Sequence, residues 1–144
     1  MASPSFVKQR SLARRRAMQA IYQWQMTGND LQEIENQFMT EQDMSKVDKE
    51  YFQELLHKVP QSIDELDAIA EQHMESLVEE TDPIERAIIR LSVYELKTRL
   101  DVPYKVVINE AVILAKAFGG DNSHTFVNGI VDKAAHQLRK AEIS

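Results

Sequence analysis

The chain has 144 residues, no cysteine, and 17 basic against 23 acidic side chains, a formal charge of −6. That length suits a single domain over residues 1–144 with a sizeable core, and the missing cysteines exclude a disulfide framework and thiolate chemistry. No apolar run approaches the ~20 residues that span a bilayer, and no secretory-signal layout opens the chain, so a cytoplasmic protein is expected.

Charge and helical periodicity organise the chain from its start. Residues 1–29 hold five cations (Lys8, Arg10, Arg14, Arg15, Arg16) and no acid, a local charge of +5; the remainder holds twelve bases against 23 acids, or −11. After a flexible tail over residues 1–7, a first helix is expected with Ala13, Ala17, Ala20, Ile21 and Trp24 on one stripe and Gly28 as its stop. Asp30 with Glu33 forms a capping box before Leu31, Ile34 and Phe38, and Asp48 can cap a helix burying Phe52, Leu55, Leu56 and Val59 until Pro60. Ser62 with Glu65 opens another, whose stripe runs through Leu66, Ala70, Met74, Leu77 and Val78.

The second half continues the pattern. Asp82-Pro83-Ile84-Glu85 combines a cap, a proline at the first helical position and a glutamate to complete the box. The helix it starts is apolar on several sides, from Ile84 to Leu96, which marks a central helix touched by several neighbours. Pro103 introduces a helix closed by Gly119-Gly120, and Ser123 can cap a last one carrying Phe126, Val127, Ile130, Val131, Ala134 and Leu138. Seven helices with short connections make an all-α bundle.

Constellations for catalysis are scarce. Glu54 and His57 form one E-x-x-H, whereas a di-iron bundle needs two such motifs and two further glutamates. No H-E-x-x-H pair, phosphate loop, dinucleotide fingerprint or nucleophile elbow occurs, which argues against an enzyme, a resident metal or a cofactor.

Binding chemistry is better supported. At ~100° per residue, Lys8, Arg15, Gln19 and Tyr22 share one face of the first helix, opposite the alanine stripe, and Arg10 and Arg14 flank that stripe. Cations engage phosphates irrespective of sequence, and an exposed ring stacks on an unpaired base, so single-stranded RNA suits this face. The alternative is a solubilising helix end with Tyr22 in the core. If Ser123 caps the last helix, its first turn offers N–H groups to a phosphate, with Phe118 and Phe126 bracketing the turn and Asn122 inside it. Phenylalanines at that spacing also suit a core. Nine acids and no base lie between Lys58 and Arg86, either a solvated face or a surface for a basic protein.

Residues 94–135, "YELKTRLDVPYKVVINEAVILAKAFGGDNSHTFVNGIVDKAA", resemble the signature of the NusB family of bacterial transcription antitermination factors, and "SLARRRAMQAIYQW" is similar to the family's opening. The resemblance covers residues 8–139. It implies a seven-helix fold and a non-enzymatic factor that pairs with the ribosomal protein NusE. The pair would bind single-stranded boxA RNA, notably from ribosomal RNA operons, beside other Nus factors on RNA polymerase. It implies RNA contacts at Arg10, Arg14, Gln19, Tyr22, Phe118, Asn122, Ser123 and Phe126, beside the Lys8 and Arg15 read from the helix face. It places the protein partner at His73, Glu79 and Glu85. Thr125, Ile113 and Arg16 depart from the family pattern, and Ile113 enlarges an apolar patch, so a monomer or a weak homodimer is expected. A helical protein-binding scaffold without direct RNA contact is the other reading.

Overall fold

A computed structural model describes residues 3–143, and every regular element among them is helical. The helices fall into two compact units that divide after Gln61.

The first unit holds α1 (Pro4–Thr27), α2 (Leu31–Glu41) and α3 (Lys49–Gln61). Ser3 caps α1 by accepting from Phe6 N (3.1 Å), and Pro4 occupies the first turn, where its missing N–H costs nothing. The helix therefore begins inside the stretch expected as a tail over 1–7; Met1 and Ala2 lie outside the described residues. Gly28 ends it in the left-handed region (φ 68°), its N–H donating to the Trp24 carbonyl at 2.8 Å. The alanine stripe (Ala13, Ala17, Ala20) is buried with Ile21, Phe52, Leu55, Leu56 and Val59, and α1 packs closely on α3 because alanine lets the backbones approach. Phe38 meets Phe52 with ring centroids 5.8 Å apart. Trp24, expected on the stripe, is only half-buried.

The second unit contains α4 (Ile63–Glu71), a 3₁₀ turn (Val78–Glu80), α5 (Pro83–Thr98), α6 (Tyr104–Phe118), α7 (Ser123–Leu138) and a short α8 (Lys140–Ile143). Asp82 caps α5 by accepting from Ile84 N and Glu85 N, and residues 87–96 are all buried, matching the several-sided apolar pattern. α5 packs against α4, α6 and α7. Two expectations fail here. The stripe of α4 does not run to Val78: the helix stops at Glu71, whose carboxylate accepts from Val78 N (2.8 Å) and turns the chain back, leaving Leu77 exposed. Ser62 makes no side-chain cap bond, so its expected box does not form.

Two buried arginines hold this unit's helices to α5. Arg90, 2% exposed, takes Asp67 of α4 at 2.9 and 2.7 Å and Glu79 of the 3₁₀ turn at 2.6 Å. Arg139 donates to the carbonyls of Glu95, Leu96 and Arg99 at the end of α5 and pairs with Glu142 of α8. Glu142 in turn accepts from Tyr104 N (2.9 Å), supplying the cap that Pro103 cannot give α6.

The Arg90 hydrogen bond holds the Glu79 carboxyl below its usual range, with burial opposing and the charges of Arg90 and Arg86 adding to it. Because the folded-state pKa is the lower one, this stabilisation is complete above the ordinary value near 4.5 and is lost as pH falls through the depressed folded value. Glu79→Gln should therefore flatten the acid limb of a urea-midpoint-versus-pH curve. Arg90→Ala should lower the unfolding free energy by about 2–4 kcal/mol at neutral pH, read from the same urea titrations.

Candidate nucleic-acid interface

Basic residues on α1 divide between two faces. Arg10, Arg14 and Met18 follow one another at four-residue steps, and this line turns toward α3. The Arg10 Nε donates to Asp48 Oδ2 at 2.8 Å, and its guanidinium lies between the rings of Phe6 (4.7 Å) and Tyr51 (4.0 Å). Arg14 is 3% exposed, its guanidinium carbon 5.5 Å from the Tyr51 ring centroid. Asp48 is thus a double anchor, since its other oxygen caps α3 by accepting from Tyr51 N (3.1 Å). This corrects the expectation for Arg14, which keeps no surface for a phosphate, whereas Arg10 stays partly exposed with its charge paired to Asp48. Tyr51 supplies a buried ring face and Asp48 a countercharge, so both guanidiniums are satisfied against α3. Met18 was the signal in the sequence: an apolar residue on the same line marks an inward face.

The other face fits the helical spacing. Lys8 and Arg15 are exposed, while Gln19 and Tyr22 are half-buried on the same side. Gln19 accepts from Arg16 Nη1 at 3.0 Å, which orients its amide. Tyr22 is therefore not fully enclosed in the core.

In the second unit, the turn between α6 and α7 gathers four candidates. Phe118 closes α6 half-buried. Asn122 is exposed and sits at φ 66°, the one positive φ outside glycine among the described residues. Asparagine tolerates that conformation better than most side chains. Asn122, not Ser123, is the cap position of α7, and it makes no side-chain cap bond. Ser123 is buried and donates through Oγ to Glu85 Oε2 at 2.6 Å, so it does not cap α7 as expected. Phe126 is 39% exposed beside a groove of about 510 Å3 lined by His73, Met74, Glu75, Ile130 and Lys133.

The partner candidates carry internal duties. His73 Nε2 lies 2.7 Å from Gln137 Oε1, tying the end of α4 to α7. Glu79 binds Arg90 yet remains 66% exposed on its side chain, and Glu85 is half-buried on Ser123. Elsewhere, His57 pairs with Glu35 at 2.6 Å and Ile113 is 49% exposed. Among the described residues no three His, Asp or Glu side chains cluster as a metal would require, and no helix is long and apolar enough to cross a membrane.

The sequence model of the NusB family matches residues 11–136. The transcription antitermination protein NusB of Teredinibacter turnerae is 57% identical over 136 residues, covering 94% of this chain and 92% of the other. That of Alcanivorax borkumensis is 49% identical over 144 residues, covering 100% and 96%. Among solved structures, T. maritima NusB superposes with a TM-score of 0.82 at 26% identity, covering 99% of both chains. A crystal structure of the antitermination factors NusB and NusE in complex with double-stranded RNA matches with a TM-score of 0.72 at 26% identity, covering 88% and 96%.

The two faces of α1 should separate in thermal or urea unfolding. Arg14→Ala, which strips a buried cation from Tyr51, should cost about 1–3 kcal/mol, whereas Arg15→Ala on the exposed face should stay within about 0.5 kcal/mol of the parent.

Proposed function

The chain belongs to the NusB family, and on that premise we propose that it is a transcription antitermination factor that pairs with the ribosomal protein NusE. The pair binds single-stranded, boxA-like RNA of nascent transcripts, notably those of ribosomal RNA operons. It acts in the cytoplasm with other Nus factors on RNA polymerase. The family is one of transcription factors rather than enzymes, and the chain's part in the complex is binding, without catalysis.

The observation that carries this reading is the outward face of α1, where Lys8, Arg15, Gln19 and Tyr22 stand together on a helix without a single acid. Lys8 and Arg15, helped by the half-exposed Arg16, hold phosphates, and Tyr22 offers a ring to a base. Arg10 and Arg14 act indirectly, by fixing α1 against α3. On the second unit, Asn122, Phe126 and the half-buried Phe118 give the α6–α7 turn a polar and aromatic surface for bases. The exposed portion of Glu79 and the acids around it suit a basic partner such as a ribosomal protein, because complementary charge speeds and orients docking. The internal use of Arg10 and Arg14 favours one rival, a helical scaffold that binds protein alone.

Fluorescence-anisotropy titration of labelled boxA-like, scrambled and duplex RNA, with and without purified NusE, decides between them. Three engaged cations give a single-strand salt slope of about −2, so raising salt from ~50 to ~200 mM should weaken binding roughly twentyfold. Tyr22→Ala should narrow the gap between boxA-like and scrambled RNA, and Arg15→Ala should weaken both alike. Salt-insensitive or absent RNA binding even with NusE present would favour the scaffold.

A further inference from the structure

Glu85 stands at the third position of α5, where a glutamate ordinarily folds back to the N–H of its own cap residue. Here its Oε2 instead accepts the hydroxyl proton of Ser123 at 2.6 Å, a charge-assisted bond that crosses from the first turn of α5 to the first turn of α7. Ser123 is only 4% exposed, so without this acceptor its hydroxyl would be a buried polar group left unmatched. A second feature fixes the same spot. A Cβ at Gly119 would lie 2.6 Å from Ser123 Cβ, 2.7 Å from its Oγ and 2.7 Å from the Ala115 carbonyl, so only glycine leaves room for Ser123 to seat. The space at Gly119, the hydroxyl of Ser123 and the carboxylate of Glu85 therefore determine together where α7 starts. The residues displayed from that start are Asn122, immediately before it, and Phe126, one turn along.

We infer that Glu85 is a positioning residue of the RNA-binding turn: through the Ser123 hydroxyl it sets the register at which Asn122 and Phe126 meet RNA. This rests on the placement of RNA at the α6–α7 turn given above. It assigns Glu85 a duty different from partner contact, and direct electrostatics predicts the opposite outcome. A carboxylate near a polyanion repels it, so deleting the charge would strengthen RNA binding if Glu85 acted through its field. Deleting the acceptor weakens binding if Glu85 acts through Ser123.

The experiment is a mutant cycle on the full chain, with labelled boxA-like single-stranded RNA as probe and NusE absent, each variant confirmed folded by circular dichroism. Ser123→Ala and Glu85→Ala should each weaken RNA binding about five- to tenfold, and the double variant should be no weaker than the worse single one. Glu85→Gln, which keeps an acceptor oxygen for Ser123, should bind within about twofold of the parent. Should Glu85→Ala not fold, Ser123→Ala against Glu85→Gln still decides. The inference is overturned if the two losses multiply, if Glu85→Ala binds RNA as well as or better than the parent, or if Glu85→Gln is as weak as Ser123→Ala. Asn122→Ala and Phe126→Ala separate the two levels. Parent-like RNA binding in both removes the turn from the RNA surface and the inference with it, whereas loss in both with none in Ser123→Ala removes only the positioning.

Discussion

A guanidinium keeps its proton at any pH the folded protein meets, so an arginine taken out of water must find carboxylates, carbonyls or ring faces. That constraint shapes both units. In the first, Arg10 and Arg14 can turn inward only because α3 presents Asp48 and the face of Tyr51, which fixes how α3 lies along α1. In the second, Arg90 gathers α4 and the 3₁₀ turn onto α5, and Arg139 ties down the carbonyls at the end of α5. An apolar replacement would lack these acceptors' directionality. The arginines thus specify which helix ends meet.

The same accounting redraws the charged surfaces. Five cations crowd the start of the chain, but two of them are directed at α3, so the phosphate-binding charge on α1 is smaller than the composition suggests. The acidic segment is similarly drawn inward. Asp67 and Glu79 meet Arg90, Glu71 holds Val78 N, Asp82 caps α5, and Glu85 takes Ser123. Complementary-charge docking then depends on the exposed parts of residues such as Glu79 and Glu65, whose carboxylates are also paired with Arg90 and Lys97. The Glu65–Lys97 pair lies at the surface, where ion pairs are weakly held and leave room for an outside cation to compete, whereas Glu79 is held by the buried Arg90.

Much of the fold was legible in residue order. Gly28 ended α1, Asp30, Asp48 and Asp82 each accept from the turn they open, and the several-sided apolar run of α5 became its buried centre. These are local signals, decided within one turn of chain. Where a signal lay outside one turn, the reading failed. The stripe continuing past Glu71 was cut short by that residue's own carboxylate folding back to Val78, and α8 formed through Arg139 and Glu142 reaching α5 and α6. Ser3-Pro4 was a local start signal, yet it fell inside a stretch read as tail.

The sequence by itself determined the helical class, most helix limits, the family, and the face of α1 shared by Lys8, Arg15, Gln19 and Tyr22, because periodicity and capping depend on neighbours three or four residues apart. Only tertiary structure decided that Arg14 belongs to the interior and that Arg10 pairs with Asp48, that Ser123 serves Glu85 rather than solvent, and that Gly119 is a space for Ser123. Those outcomes hang on acceptors 38 positions away in the chain for Arg10 and Ser123 alike, and helical spacing carries no information about what a distant helix will offer.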